Sequence, residues 1–228
     1  DFIDIYWGPS FFLSALLIFF LHQNFTLANY IILIIVGAWG FRLALYLFSR
    51  NIKKDEDRRY VKIRGSIGNF GLYFITYMIQ VILIGIVSLP ILLLMIQSEF
   101  DNIKLVSLIG VILSLLGIAI ESIADYQMTK FKDKTNNKGK LMNKGLWQYS
   151  RHPNYFGDSM FWWGIFLFSY GYTSNLLIAI SPVIMTYFLI KVSGVSLLER
   201  QLKHKKEGYE DYINNTSSFI LMPKKNKK

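Results

Sequence analysis

The sequence contains no cysteine and only three histidines, His22, His152 and His204. Without cysteine, neither disulfide bonds nor thiolate catalysis is available to the chain. So few nitrogen and sulfur ligands also predict that the protein has no metal site of the zinc type. The signatures of several soluble enzymes are missing too: there is no Walker A loop, no H-E-x-x-H and no G-x-S-x-G. The glycines of "GSIGNFG" (residues 65–71) lack the spacing of a Rossmann turn, so the sequence excludes the common soluble nucleotide-binding architecture.

Long apolar stretches dominate what is present, since 53% of the residues are hydrophobic. Several stretches approach the ~20 residues that a helix needs to cross a bilayer. The first follows Asp1 and Asp4 rather than basic residues, so we expect no secretory signal peptide. The sequence therefore predicts an all-α, polytopic membrane helix bundle of six or seven spans, forming a single membrane domain over residues 1–228. The predicted spans cover about 9–21, 28–48, 70–96, 105–125, 155–172 and 176–191.

Most basic residues are concentrated in three parts of the chain, whose formal net charge is +10. They lie in the predicted loops 49–69 and 126–152 and in the tail 192–228, whereas the alternate connections carry only Lys104. Cytoplasmic loops of membrane proteins collect Lys and Arg, so both termini are predicted to be cytoplasmic. The charge is thus expected to reflect contact with the lipid bilayer, not with nucleic acid. Within the tail, Leu197–Tyr212 has the pattern of an amphipathic helix at the membrane interface.

Ionisable side chains inside the apolar stretches are candidates for function, because burying charge in lipid is costly. Arg42 lies in the second stretch, with Tyr46 one helical turn later. Two interpretations remain open for Arg42, namely a role at a substrate and snorkelling to the interface. Glu121 and Asp125 end the fourth stretch at a spacing of one turn. They could form a structural ion pair with an arginine, or orient a ribose or the following basic loop.

A polar cluster precedes the fifth stretch, in "GLWQYSRHPNYFGD" (residues 145–158). Pro153 disfavours helix at the residue before it, so a helix is predicted to begin there. Arginine carries a planar fork suited to phosphate, and free N–H groups at a helix start also favour an anion. The cluster therefore predicts a corner that binds pyrophosphate and ribose, with interfacial anchoring by its aromatic residues as the alternative. Its candidate residues are Tyr149, Arg151, His152, Asn154, Tyr155 and Asp158.

This cluster, with the following "FWWG", the later "SGVSLLERQ" and "EGYEDYINNTSSFILMP", resembles the bacterial DUF1295 proteins. That family is similar to the steroid 5-alpha-reductase and isoprenylcysteine carboxyl methyltransferase-like membrane proteins. The resemblance extends over nearly the whole chain and is most specific in the carboxy-terminal half. It implies a helical bundle of six or seven spans that binds NADPH in a cavity facing the cytosol.

The resemblance also implies roles for individual residues. Asp125 matches an aspartate that ends the fourth span of the reductases, and Lys132 a basic residue near it. Asn154 and Asp158 match residues that contact the cofactor, and Glu199 lies near the polar residues of the last helix.

The chain departs from the steroid reductases at two places. Trp39 stands where those enzymes have a tyrosine that donates to the substrate carbonyl, and Tyr6–Trp7 stands where a Gln-Glu pair is expected. These departures argue against a 3-keto steroid as the substrate and leave Arg42 and Tyr46 as the predicted donors.

The sequence therefore predicts a reductase of the bacterial inner membrane that uses NADPH to reduce an activated C=C bond of a hydrophobic lipid. One alternative is a methyltransferase that uses S-adenosylmethionine on a lipid or prenyl substrate. The methyltransferases carry paired glutamates after the last span, where "LLERQ" has only Glu199. The other alternative is a membrane protein without enzymatic activity, in which the polar residues only anchor helices.

Overall fold

The computed structural model describes residues 3–52, 74, 77–97, 103–192, 195, 199 and 208–224. The described residues form an all-helical protein, with one isolated parallel bridge between Ser150 and Ser217. Short 3₁₀ or π turns occur at Thr135–Asn137, Gly145–Gln148, Leu176–Ala179 and Phe188–Val192. The α-helices are α1 (Ile3–His22), α2 (Leu27–Asn51), α3 (Tyr77–Val87), α4 (Leu89–Gln97), α5 (Leu105–Lys132), α6 (Pro153–Thr173), α7 (Ile180–Tyr187) and α8 (Tyr209–Asn215).

Three helices, α1, α2 and α5, are long and apolar enough to cross a membrane, and the bent pair α3–α4 could be a fourth span. Many of their apolar side chains are exposed, including Leu17, Ile34, Leu45 and Leu108. Water would not tolerate so much contiguous apolar surface, whereas lipid does. The chain is therefore an integral membrane protein. The fifth and sixth predicted spans fall on α6 and on the shorter apolar stretch Leu176–Val192, so the six-span count stays a prediction.

The helices differ in detail from the predicted spans. α1 begins at Ile3, so Pro9 lies inside it and does not begin the span as predicted. A proline is tolerated there because a membrane helix loses only one hydrogen bond to it. α5 continues to Lys132, seven residues beyond its predicted end, so the predicted loop 126–152 begins as helix.

The structure divides the chain into two compact units, each assembled from two separate stretches. The first unit comprises Asp1–Ser107 and Ser169–Ser181, and the second comprises Leu108–Phe168 and Pro182–Lys228. The prediction of one membrane domain over residues 1–228 stays a prediction.

In the first unit, α1 and α2 form a hairpin whose closest approach is between two glycines. A Cβ atom on Gly8 would lie 2.5 Å from the carbonyl oxygen of Gly40, so neither position has room for a side chain. Small residues of this kind let membrane helices pack backbone against backbone. Next to the contact, Phe11 and Trp39 are fully buried with their ring centroids 6.0 Å apart. The hairpin is thus closed by an apolar, aromatic core.

The third predicted span is broken in the first unit. α3 and α4 meet at Ser88 with a bend of 47°, where a straight span over 70–96 was expected. Pro90 explains the break, because it lacks the N–H that would continue the hydrogen-bond ladder. The Val87 carbonyl at the break accepts a hydrogen bond of 2.6 Å from the Ser181 hydroxyl. A side chain therefore satisfies a backbone group that the bend exposes.

In the second unit, α5 and α6 pack antiparallel through glycines spaced seven residues apart, which places them on one helix face. Gly117 on α5 meets Gly157 on α6, where a Cβ atom would lie 2.6 Å from the Gly157 oxygen. Gly164, two turns further along α6, packs against Ser114 and likewise has no room for a side chain. The close contact ends at Glu121, whose backbone nitrogen lies 2.6 Å from a Cβ placed on Gly157. Beyond that level the interface becomes polar.

The chain after α5 folds back onto that helix. The Trp147 indole donates to the Ala124 carbonyl at 3.1 Å, and the Gln127 side chain accepts from the Leu146 amide at 2.9 Å. α6 then begins at Pro153, as the proline predicts. These contacts set the polar cluster of residues 149–158 at the end of the α5–α6 pair.

The tail contains a shorter helix than predicted. Gly208 has φ of +72°, a conformation that glycine adopts without steric cost, and α8 begins only at Tyr209. The prediction of one amphipathic helix that continues to Tyr212 is therefore wrong at its C-terminal end. The rest of that predicted helix, residues 197–207, lies largely outside the described residues.

Candidate functional site

The polar end of the α5–α6 pair brings together three predicted site residues with Glu121. Glu121 and Asp125 lie one turn apart on α5, and Asn154 and Asp158 one turn apart on α6. The three acids are buried, and the Asn154 amide donates to Asp125 Oδ1 at 3.4 Å. The other polar atom of that amide, Asn154 Oδ1, is buried and accepts no hydrogen bond from the described residues. The site thus gathers the buried oxygen atoms of three acids and one amide.

Arg151 links the start of α6 to the tail. Its Nε donates to Glu199 Oε1 at 2.8 Å, and its Nη1 donates to the Thr216 and Ile213 carbonyls at 2.6 and 3.0 Å. The backbone amide of Arg151 also donates to the Ser217 carbonyl at 2.8 Å. Two of its three guanidinium nitrogens therefore donate hydrogen bonds to acceptors in the protein. The prediction that Arg151 binds phosphate stays a prediction, and any phosphate must share the guanidinium with these groups.

His152 lies beside the same carboxylate. Its Nε2 is 3.4 Å from Glu199 Oε1, an ion-pair distance without the alignment of a hydrogen bond. The imidazole is buried and stacks on the Tyr155 ring, with centroids 5.6 Å apart and planes inclined by 5°. Glu199, the residue that the family resemblance implicated, is therefore joined to both Arg151 and His152.

The charge of Glu199 is stabilised by these neighbours. Burial raises the pKa of its carboxyl, but the contacts with His152 and Arg151 and the positive charge of the guanidinium outweigh that effect. The pKa consequently lies below its ordinary value of 4.5, so Glu199 is ionised at neutral pH.

The sequence analysis missed the tyrosines of α8 as members of this region. Tyr209 and Tyr212 are both buried, and the Tyr212 hydroxyl donates to the Trp147 carbonyl. Further along the tail, the Phe219 carbonyl accepts from the Ser150 hydroxyl at 2.7 Å. The signal that could have found the tyrosines is their spacing in "YEDY", which places two large rings on one face of a helix among charged residues.

Two further predicted residues of the second unit lie at its surface. Tyr149 is 40% exposed, and its carbonyl accepts from the Met222 amide at 3.1 Å. Lys132 is exposed on the last turn of α5. The described part of the chain contains no group of three His, Asp or Glu side chains that could hold a metal ion.

Arg42 and Tyr46 belong to the first unit, on α2. Both side chains are half-buried, and the Arg50 guanidinium lies 5.7 Å from the centre of the Tyr46 ring. Trp39 is fully buried in the α1–α2 core. The donor roles of Arg42 and Tyr46 stay predictions.

The fold and site define an all-helical integral membrane protein with a buried polar cluster at one end of a glycine-packed helix pair. The chain belongs to the DUF1295 family, described as "Protein of unknown function", whose sequence profile matches residues 1–216. This match confirms the family that the sequence resembles. No curated protein and no solved structure matches the chain.

Proposed function

We propose that this protein is a membrane-embedded reductase that uses NADPH to reduce an activated C=C bond of a hydrophobic, steroid- or prenyl-like lipid. The observation that carries the proposal is the polar cluster of Asp125, Asn154 and Asp158 at one end of the glycine-packed α5–α6 pair. Within this cluster Asn154 Oδ1 is buried and has no hydrogen-bond partner among the described residues, which is costly unless a ligand satisfies it, so the cluster supports a ligand site.

The residues of the cluster fit a nucleotide. Carboxylates and an amide oxygen accept hydrogen bonds from ribose hydroxyls, and Asn154 Oδ1 has this capacity to spare. Exposed lysines follow Asp125 directly along the chain, where they would attract phosphates. They are Lys130, Lys132, Lys134, Lys138 and Lys140.

NADPH would supply a hydride for the carbon conjugated to a carbonyl, and solvent would supply the proton for the neighbouring carbon. The protein's part is to hold the two partners within about 3–3.5 Å and to stabilise the oxygen that becomes an enolate. Arg42 and Tyr46 are the proposed donors to that oxygen. One such donor contributes about 3 kcal/mol of transition-state stabilisation.

The outer face of α5 supports a substrate that arrives from the bilayer. Leu108, Ile112, Leu115 and Ile123 are each about half exposed on this helix and would face lipid. We propose six or seven spans with both termini cytoplasmic, in the inner membrane of a bacterium. In that topology the lysine-rich residues 130–144 and the polar cluster meet the cytosol, where NADPH is found.

A methyltransferase that uses S-adenosylmethionine is the second candidate. The observation in its favour is the burial of three carboxylates, on Glu121, Asp125 and Asp158, because these would attract a sulfonium cation. The lysines that follow Asp125 favour the polyanionic NADPH instead.

The two candidates are separated by ligand-induced stabilisation of the purified protein in lipid nanodiscs. NADPH at 100 times its Kd should stabilise the folded protein by about 2.7 kcal/mol, while S-adenosylmethionine leaves the unfolding midpoint unchanged. The reverse result would establish the methyltransferase. A protein that responds to neither ligand would refute both enzymatic proposals and favour anchoring as the role of the polar residues.

A further inference from the structure

The Arg151–Glu199 pair is surrounded by hydrogen-bond donors that lack acceptors. Tyr209 is only 2% exposed, yet its hydroxyl has no hydrogen-bond partner among the described residues. His152 is 3% exposed, and its Nε2 has only the misaligned contact with Glu199. Arg151 uses Nε and Nη1 for protein acceptors, which leaves Nη2 without one in the same set of residues. The region therefore contains buried donors without an aligned acceptor among the described residues.

A buried hydroxyl without a partner is unfavourable, so a protein retains one where something else satisfies it. If the hydroxyl had no role besides folding, its removal would make the folded protein more stable. Three residues later on the same helix, Tyr212 shows the other situation, since its hydroxyl donates to the Trp147 carbonyl. The two tyrosines of α8 thus differ in what their hydroxyl groups contact.

The Tyr209 hydroxyl is also a donor under physiological conditions. Burial, followed by the negative charge of Glu199, raises its pKa to about 12, although the Arg151 charge acts in the opposite direction. The phenol consequently keeps its proton at neutral pH. Arg151 also donates to the carbonyl of Ile213, one turn after Tyr209 on the same helix, so Tyr209 belongs to the same region as the pair.

We propose that Tyr209 Oη, His152 Nε2 and the Arg151 guanidinium form the donor side of a site for an anionic oxygen group, a phosphate or a carboxylate. This proposal rests on the proposed function, in which the group is the pyrophosphate of NADPH or the carboxylate of S-adenosylmethionine. Glu199 holds Arg151 while the site has no ligand, and the anion competes with this carboxylate for the guanidinium. Tyr209 is thereby a binding residue.

The test compares Tyr209→Phe with Tyr212→Phe, the same chemical change at two positions of one short helix. Tyr209→Phe should unfold at the wild-type temperature or higher, and should bind NADPH about tenfold more weakly, because one hydrogen bond to an anion is lost. Tyr212→Phe should unfold at a lower temperature and bind with wild-type affinity once folded. Wild-type affinity in Tyr209→Phe, with the fold intact, overturns the proposal.

Inorganic pyrophosphate and Glu199→Gln separate this proposal from the proposed function. Pyrophosphate should bind the wild-type protein more tightly than Tyr209→Phe, whichever nucleotide the protein uses. Glu199→Gln should bind pyrophosphate several-fold more tightly than wild type, because it removes the competing charge. If neither nucleotide binds but both pyrophosphate differences appear, the proposed function fails and the anion site stands. If Tyr209→Phe does not fold, or if Glu199→Gln fails to strengthen pyrophosphate binding, the anion site is overturned.

Discussion

The α1–α2 and α5–α6 pairs both pack through glycines, but different kinds of side chain surround the two contacts. In each pair, glycines bring the two backbones into contact, at Gly8 and Gly40 in one and at Gly117 and Gly157 in the other. The first contact borders the buried rings of Phe11 and Trp39, whereas the second borders buried acids and an amide. The backbones therefore pack closely in both pairs, and the polar side chains beside the second contact are the reason for proposing a site there.

The largest expected effect is the loss of either glycine contact. Gly117→Leu places a side chain where a Cβ atom would already lie 2.6 Å from the Gly157 oxygen, so the helices must separate. We expect the free energy of unfolding to fall by at least about 3 kcal/mol, and Gly8→Leu should cost a similar amount. Unfolding in mixed detergent micelles measures both.

Gly85→Leu is the matched control for these variants, since nothing lies within 4 Å of a Cβ atom at that position. Its stability should stay close to that of the wild type. If Gly117→Leu were as stable as Gly85→Leu, the close packing of α5 and α6 would be wrong.

A second contrast is between the rate of the catalysed reaction and the affinity for NADPH. Arg42→Gln in α2 should lower the turnover of a conjugated alkyl ketone, used as a probe substrate, by about 100-fold, because a donor to the enolate oxygen is lost. The NADPH affinity should not change. Steady-state NADPH oxidation and a separate binding titration measure the two quantities.

Arg42→Lys distinguishes this role from snorkelling to the interface. Lysine also snorkels, so full recovery of both stability and turnover in Arg42→Lys would indicate an interfacial anchor. We expect Arg42→Lys to have the stability of the wild type but the low turnover of Arg42→Gln.

The smallest effect, a pH dependence, belongs to the second unit. The pKa of Glu199 is lowered on folding, so its contribution to stability is present above pH 4.5 and is lost as the pH falls through the folded-state pKa. The wild-type protein should therefore lose stability below pH 4.5 more steeply than Glu199→Gln. Parallel pH profiles of the two proteins would show that the contacts with Arg151 and His152 do not stabilise the charge.

The sequence was sufficient to predict the features that depend on local pattern. The length of the apolar stretches predicted α1, α2 and α5, and Pro153 predicted the start of α6, because hydrophobic burial and proline geometry act locally. The polar cluster was recognisable for a similar reason, since burying ionisable side chains at the end of a membrane helix is costly.

Contacts between distant parts of the chain could not be predicted in this way. Glu199 and Thr216 lie 48 and 65 residues from Arg151, and nothing in the local pattern pairs them. The packing glycines were equally hidden, because a glycine in a helix contact, such as Gly40, looks like the exposed Gly85 in a single sequence. The break at Ser88 was missed because its one local signal, Pro90, is a residue that many membrane helices tolerate without a break.

The central claim is that the polar end of the α5–α6 pair binds a nucleotide, and NADPH titration of two variants tests it most directly. Asn154→Ala removes the amide from the cluster, Asp158→Asn replaces one carboxylate oxygen with an NH2 group, and neither changes the glycines of the helix contact. We predict that both variants fold and bind NADPH about tenfold more weakly, the loss expected for one buried hydrogen bond. Wild-type affinity in both folded variants would contradict the account.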